Sequence, residues 1–186
     1  MTDVTEPDHP LGRLIVVSGA QAAGKTTVGY AVAARLSRAV HVDGDAIHRM
    51  VVSGEVPMTL PAPPAAVEQL FLRWLGAIAV AETYQRAGFD AVLTDNIFGD
   101  FLEDFLDFVS PAPVHLVMLN PSADVLRQRE AGRGKSGYDD AVTVDALWRS
   151  VNEDTPRMGL WLDTSRQSAV ETANAVLDRL DEALLG

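Results

Sequence analysis

One short stretch limits the possible folds of this chain more than any other. Gly19-Ala20-Gln21-Ala22-Ala23-Gly24-Lys25-Thr26 matches the pattern G-x-x-x-x-G-K-[ST]. The β-branched run Leu14–Ser18 precedes it, and residues 26–37 follow with apolar side chains at Val28, Ala31, Val32 and Leu36, a helical spacing. A buried strand, a glycine loop and a helix therefore come in immediate succession. Such a loop folds into a concave nest of backbone N–H groups, and the helix adds its positive N-terminal end, so the unit is built to hold phosphates. In that arrangement Gly19, Ala20, Gln21, Ala22, Ala23 and Gly24 supply the cradle. Lys25 reaches the terminal phosphates, Thr26 offers a hydroxyl to Mg²⁺, and Thr27 can donate to the α-phosphate.

Further along, strand and helix signals alternate. Strands are expected at 40–42, 91–94, 114–119 and 160–162, and helices from 45 through Val51, at 65–87, 101–109, 122–131 and 142–151, and from 168 onward. Ser168 and Glu171 form an S-x-x-E capping box, and Gly88 stands where a C-cap glycine belongs. The proline-rich stretch 53–64 reads as a loop. Alternation of this kind implies an α/β protein, a five-stranded parallel sheet flanked by helices on both faces. Residues 1–10 read as a flexible leader, and 11–186 as one domain.

Charge and composition narrow the class. The chain has 186 residues and a formal net charge of −11, which argues against a duplex nucleic-acid binder. It has no cysteine, so disulfides and thiolate chemistry are excluded. No apolar run reaches the length of a membrane span, and the N-terminus lacks a signal pattern, so a cytoplasmic protein without a membrane partner is expected, as a monomer or homodimer.

Carboxylates supply the second half of the chemistry. His41-Val42-Asp43-Gly44-Asp45 places two acids at the carboxyl end of a strand, where ligands bind in open α/β sheets. Asp45 suits a general base for a hydroxyl, and Asp43 suits the metal side, although either could be the base. Asp95 ends the third strand and could serve the metal or the acceptor; Asp45 could also act as a helix N-cap. Arg129 and Arg133 lie one helical turn apart and lead into the glycine-rich segment 132–137, with the features of an arginine lid at about 132–143 that closes over ATP. Arg49 and Arg73 are candidates to meet an anionic group on the substrate, and Arg157 to border the adenine. The absence of N-K-x-D argues against a GTPase, and Thr94-Asp95-Asn96 in place of an Asp-Glu pair argues against an oligomeric motor.

The segments GAQAAGKTT, VDGDAIHRM, VLTDNIFGD and LRQREAGRGKSG together resemble the chloramphenicol phosphotransferase-like branch of the P-loop kinases, with shikimate and gluconate kinases as more distant relatives. The resemblance runs from about Leu14 to Leu180. It implies a three-layer P-loop kinase fold and transfer of the γ-phosphate of Mg-ATP to a hydroxyl of a small molecule, an antibiotic or a metabolite, with Asp45 at the matching base position. Two alternatives stand beside this expectation: a nucleoside, nucleotide or sugar-nucleotide kinase, and a nucleotide-binding regulatory ATPase without acceptor chemistry.

Overall fold

The computed structural model describes residues 10–59, 61–132 and 143–186. Arg133 and nearly all of the expected lid at about 132–143 lie outside the described residues, as does nearly all of the expected leader. Five parallel strands, β1 (Leu14–Gly19), β2 (Ala39–Asp43), β3 (Asp90–Thr94), β4 (Val114–Leu119) and β5 (Leu160–Leu162), form a sheet in the order β2-β3-β1-β4-β5. A two-residue strand, β6 (Leu184–Leu185), pairs antiparallel with the start of β4, an element too short to leave any periodicity in the sequence.

The helices are α1 (Lys25–Ala33), α2 (Gly44–His48), α3 (Pro64–Gln85), α4 (Phe101–Val109), α5 (Ala123–Ala131), α6 (Val144–Arg149) and α7 (Ala169–Asp178). Several are shorter than their apolar spacing predicts. α1 ends at Ala33, and the next residues tighten into three-residue turns, with Leu36 N donating to Ala33 O. α2 stops at His48, and Met50 and Val51 close similar turns. α6 gives way to a π-helical turn at Ser150–Asp154, closed when the Thr155 hydroxyl donates to Ser150 O. The expected capping box at Ser168 and Glu171 is formed.

Alternation along β1 divides the core. Ile15 and Val17 face one layer with Val28, Val32, Leu126 and Val176, whereas Leu14 and Val16 face the other with Trp74, Ala77, Leu93 and Phe105. α1 and α7 thus cover one face of the sheet, and α3 and α4 cover the other. Among the described residues α3 alone is long and apolar enough to cross a membrane, yet its Trp74, Ala77, Ile78 and Ala81 are buried in the second layer of the core. At the carboxyl edge the register aligns Val17, Thr94 and Asp43 across β1, β3 and β2. The segments just beyond these positions therefore converge on one end of the sheet.

Candidate active site

The loop between β1 and α1 takes the shape its glycines permit. Gly19 and Gly24 have φ of 144° and 98°, and a Cβ at Gly19 would overlap the carbonyl oxygen of Leu119. Ala22 also lies in the left-handed region at φ 67°, and the next residue closes a turn, with Ala23 N donating to Ala20 O at 3.1 Å. Lys25 Nζ donates to Ala20 O at 3.0 Å, so the ammonium is folded back along the loop. The Ser18 hydroxyl donates to Ile97 O at 2.6 Å and accepts from Ile97 N at 3.0 Å, tying the entry of the loop to the segment after β3.

Facing the loop is a cavity of about 230 Å³. Gln21, Ala22, Gly24, Lys25, Thr26 and Thr27 form one side of it, and Asp43, Asp45, Thr94, Asp95 and Asn96 belong to the other, with Arg129 at the margin. The structure thus brings both acids of the second strand to the phosphate loop. Asp43, rather than Asp45, is the N-cap of α2: its Oδ1 accepts the Asp45 N–H at 3.1 Å. The Asp45 side chain is left 51% exposed, with Arg73 Nη1 3.8 Å from its Oδ1.

Asp95 has a different setting. Its side chain is 1% exposed and is gripped by Arg73, whose Nε donates to Oδ2 at 2.7 Å while Nη2 pairs with Oδ1. The Asn96 N–H adds a bond of 2.6 Å to Oδ1. Room for this carboxylate comes from Gly44, where a Cβ would overlap Asp95 Oδ2. Burial draws the Arg73 guanidinium below its ordinary pKa, and the charges of Asp45 and Asp43 oppose that shift. His41, beneath the site, shares a 3.1 Å hydrogen bond with Thr94 Oγ1; burial lowers its pKa, with Asp43 acting against the shift.

Not every sequence candidate arrives. Arg73 lies behind Asp95 rather than on the cavity wall, and Arg49 is exposed after α2 and lines neither cavity. Arg157 stacks on the Trp161 ring, 3.9 Å from its centroid, and is likewise away from both cavities. Arg129, in contrast, is anchored: its Nη1 donates to Ala23 O at 3.0 Å and its Nη2 to Thr164 O at 2.9 Å. It borders a second hollow of about 260 Å³ behind the loop, which Thr164, Gln167, Ala169 and Thr172 also line. Thr164 and Gln167 escaped the sequence reading because nothing in TSRQS marks them. Gly44 did carry a signal, a glycine between two aspartates.

A family model described as an AAA domain matches residues 14–158. No curated protein matches the chain significantly in sequence. Solved structures match it in fold. A sugar kinase from Janibacter sp. HTCC2649 superimposes with a TM-score of 0.68 at 22% identity, covering 92% of this chain and 96% of its own. A gluconokinase from Sinorhizobium meliloti 1021 gives 0.59 at 20% identity, with 94% and 96% covered. An APS kinase from Mycobacterium tuberculosis, solved with AMPPNP and APS, gives 0.67 at 15% identity, covering 92% and 99%. The fold is therefore that of the P-loop kinases.

Proposed function

The chain belongs to the AAA domain family, and on that premise we propose that it is an ATP-dependent kinase that phosphorylates a hydroxyl group of a small molecule. One observation carries this reading: the phosphate loop and an accessible carboxylate, Asp45, line the same cavity. Residues Gly19–Thr27 cradle the triphosphate, and Lys25 balances charge on its terminal groups. Arg129 braces the loop from behind, and Arg133 is assigned to the arginine segment that follows. Asp45 accepts the proton of the acceptor hydroxyl as its oxygen attacks the γ-phosphorus. The bond from that phosphorus to the β–γ bridging oxygen breaks, and ADP departs with the electron pair.

The donor set also suits magnesium. Thr26 and Asp43 line the cavity together, and among the described residues no three His, Asp or Glu side chains are grouped so that they could hold a metal ion by themselves. Mg²⁺ beside a nucleotide needs no such cluster, because phosphate oxygens and water fill most of its octahedron. When bound it would neutralise charge on the phosphates, held by the Thr26 hydroxyl with Asp43 on its outer side.

The closure of Asp95 supports this reading over a motor ATPase. A carboxylate closed into an ion pair with Arg73 is poorly placed to activate water, whereas Asp45 remains accessible. Asp95 and Arg73 accordingly shape the acceptor side rather than bind substrate through open charges. Incubation with γ-labelled ATP and a library of hydroxyl compounds, chloramphenicol and sugars among them, tests the proposal. Label should move to an organic acceptor, and its appearance only in inorganic phosphate would refute the kinase assignment.

A further inference from the structure

The acceptor side of the cavity is lined by carboxylates, and its described cations are engaged elsewhere. Asp43, Asp45 and Asp95 all line the wall. Arg73 commits Nε and Nη2 to Asp95, and its remaining Nη1 is turned to Asp45 at 3.8 Å. Arg129 spends both terminal nitrogens on the carbonyls of Ala23 and Thr164, and Lys25 is part of the phosphate loop itself. Arg49 lines neither cavity. Asn96, on the same wall, buries an Oδ1 that has no hydrogen-bond partner. The open part of the wall therefore presents the hydrogen-bond acceptors and negative charge of Asp43 and Asp45.

An anionic group entering here would meet the open carboxylates of Asp43 and Asp45 and an Asp95 whose charge is matched by Arg73, without an uncommitted guanidinium on the wall, in a cleft whose low-dielectric surroundings strengthen the repulsion. A hydroxyl or an ammonium would instead find acceptors it can satisfy. We infer that the acceptor is an uncharged or amine-bearing hydroxyl compound, and that Asp95 sets this preference by neutralising Arg73. The inference rests on the kinase reading, since it assigns this wall to the acceptor. Asp95 acts here as a specificity-determining residue: were Arg73 not paired, its guanidinium would make the same wall attractive to carboxylates.

Three probes on one carbon skeleton test this: sorbitol, glucamine and gluconate, which differ only in bearing an alcohol, an ammonium or a carboxylate at the first carbon. Binding is measured by calorimetry on the full chain with the phosphate loop saturated by Mg-AMPPNP, so that no transfer is needed. Gluconate should bind at least about ten-fold more weakly than glucamine. Asp95→Asn should bind gluconate at least about ten-fold more tightly than the wild type, and adding Arg73→Met should abolish the gain. Asp95→Ser repeats the test should the amide variant fail to fold. Gluconate binding to the wild type as tightly as glucamine, or no gain in the folded Asp95 variants, would overturn the inference. If no probe binds the wild type, the Asp95 variants decide. Failure of phosphoryl transfer to every hydroxyl compound, with the charge ranking intact, would instead count against the kinase reading.

Discussion

Asp43 holds the backbone of Asp45: its Oδ1 accepts the Asp45 N–H at 3.1 Å and so caps the short helix α2. The metal-side acid and the proposed base are thereby linked through the main chain, and the two functions of Asp43 can be separated by substitution. Asp43→Asn keeps an oxygen for the cap and loses the charge. It should melt close to the wild type while phosphoryl transfer falls. Asp43→Ala loses both, with a further cost of about 1 kcal/mol in stability. Urea denaturation beside a transfer assay on the two variants reads the difference.

Gly44 is the contact point between α2 and the carboxylate of Asp95. A methyl group there must displace Asp95 or lift α2, and either movement disturbs Arg73. Gly44→Ala is expected to destabilise by about 1–3 kcal/mol, the range for overpacking a tight site. Activity should fall more than the same loss of stability causes elsewhere. Alanine at Gly132, where φ is −80° and no atom lies closer than 3.6 Å to a Cβ, is a comparison for the glycine effect alone.

Removing Arg73 leaves Asp95 buried and charged without its partner. The side chains are 12% and 1% exposed, so solvent can offer little compensation. Arg73→Met should cost about 3–5 kcal/mol, as for other buried pairs broken on one side. Substitution of both residues by apolar side chains should recover part of that loss. Chemical denaturation of the single and double variants measures the recovery.

Much of this site was legible in the sequence, for a physical reason. A phosphate cradle needs glycines at fixed spacing and a lysine at its end, so GAQAAGKT announces itself, and DGD at the end of a strand marks the opposing acids. The pairing of Arg73 with Asp95 was not legible. The residues are 22 positions apart, on α3 and at the end of β3, and each alone resembles a substrate ligand. Which residue caps α2 also depends on backbone angles: Asp43 is extended at φ −92° and ψ 116° and so takes the cap that the spacing alone could give to Asp45. Arg49 and Arg157 have the residue type of a substrate ligand, but Arg49 is exposed after α2 and Arg157 is stacked on Trp161, contacts that the sequence does not announce.

At the opposite end of the sheet, Asp90 fastens β3 to β1. It accepts from Arg13 N at 2.8 Å, Nε at 3.1 Å and Nη2 at 2.7 Å. Burial pushes the Asp90 carboxyl upward, but the Arg13 hydrogen bonds and charge outweigh it and leave the pKa below the ordinary value. A depressed folded pKa means stability that is complete above the unfolded pKa near 3.8 and is lost as pH falls through the folded value. Asp90→Asn should therefore be less stable than the wild type at pH 7, with the gap narrowing below about pH 4. Parallel denaturation curves down to pH 3 would show the convergence.

The most direct measurement is single-turnover transfer from γ-labelled ATP to a hydroxyl acceptor, comparing the wild type with Asp45→Asn at matched nucleotide occupancy. Loss of a general base from a site that still holds its nucleotide should slow transfer by about 10²–10⁴-fold, with nucleotide affinity nearly unchanged. Undiminished transfer in Asp45→Asn would contradict the assignment of the base, and with it the proposed division of work between the two sides of the cavity.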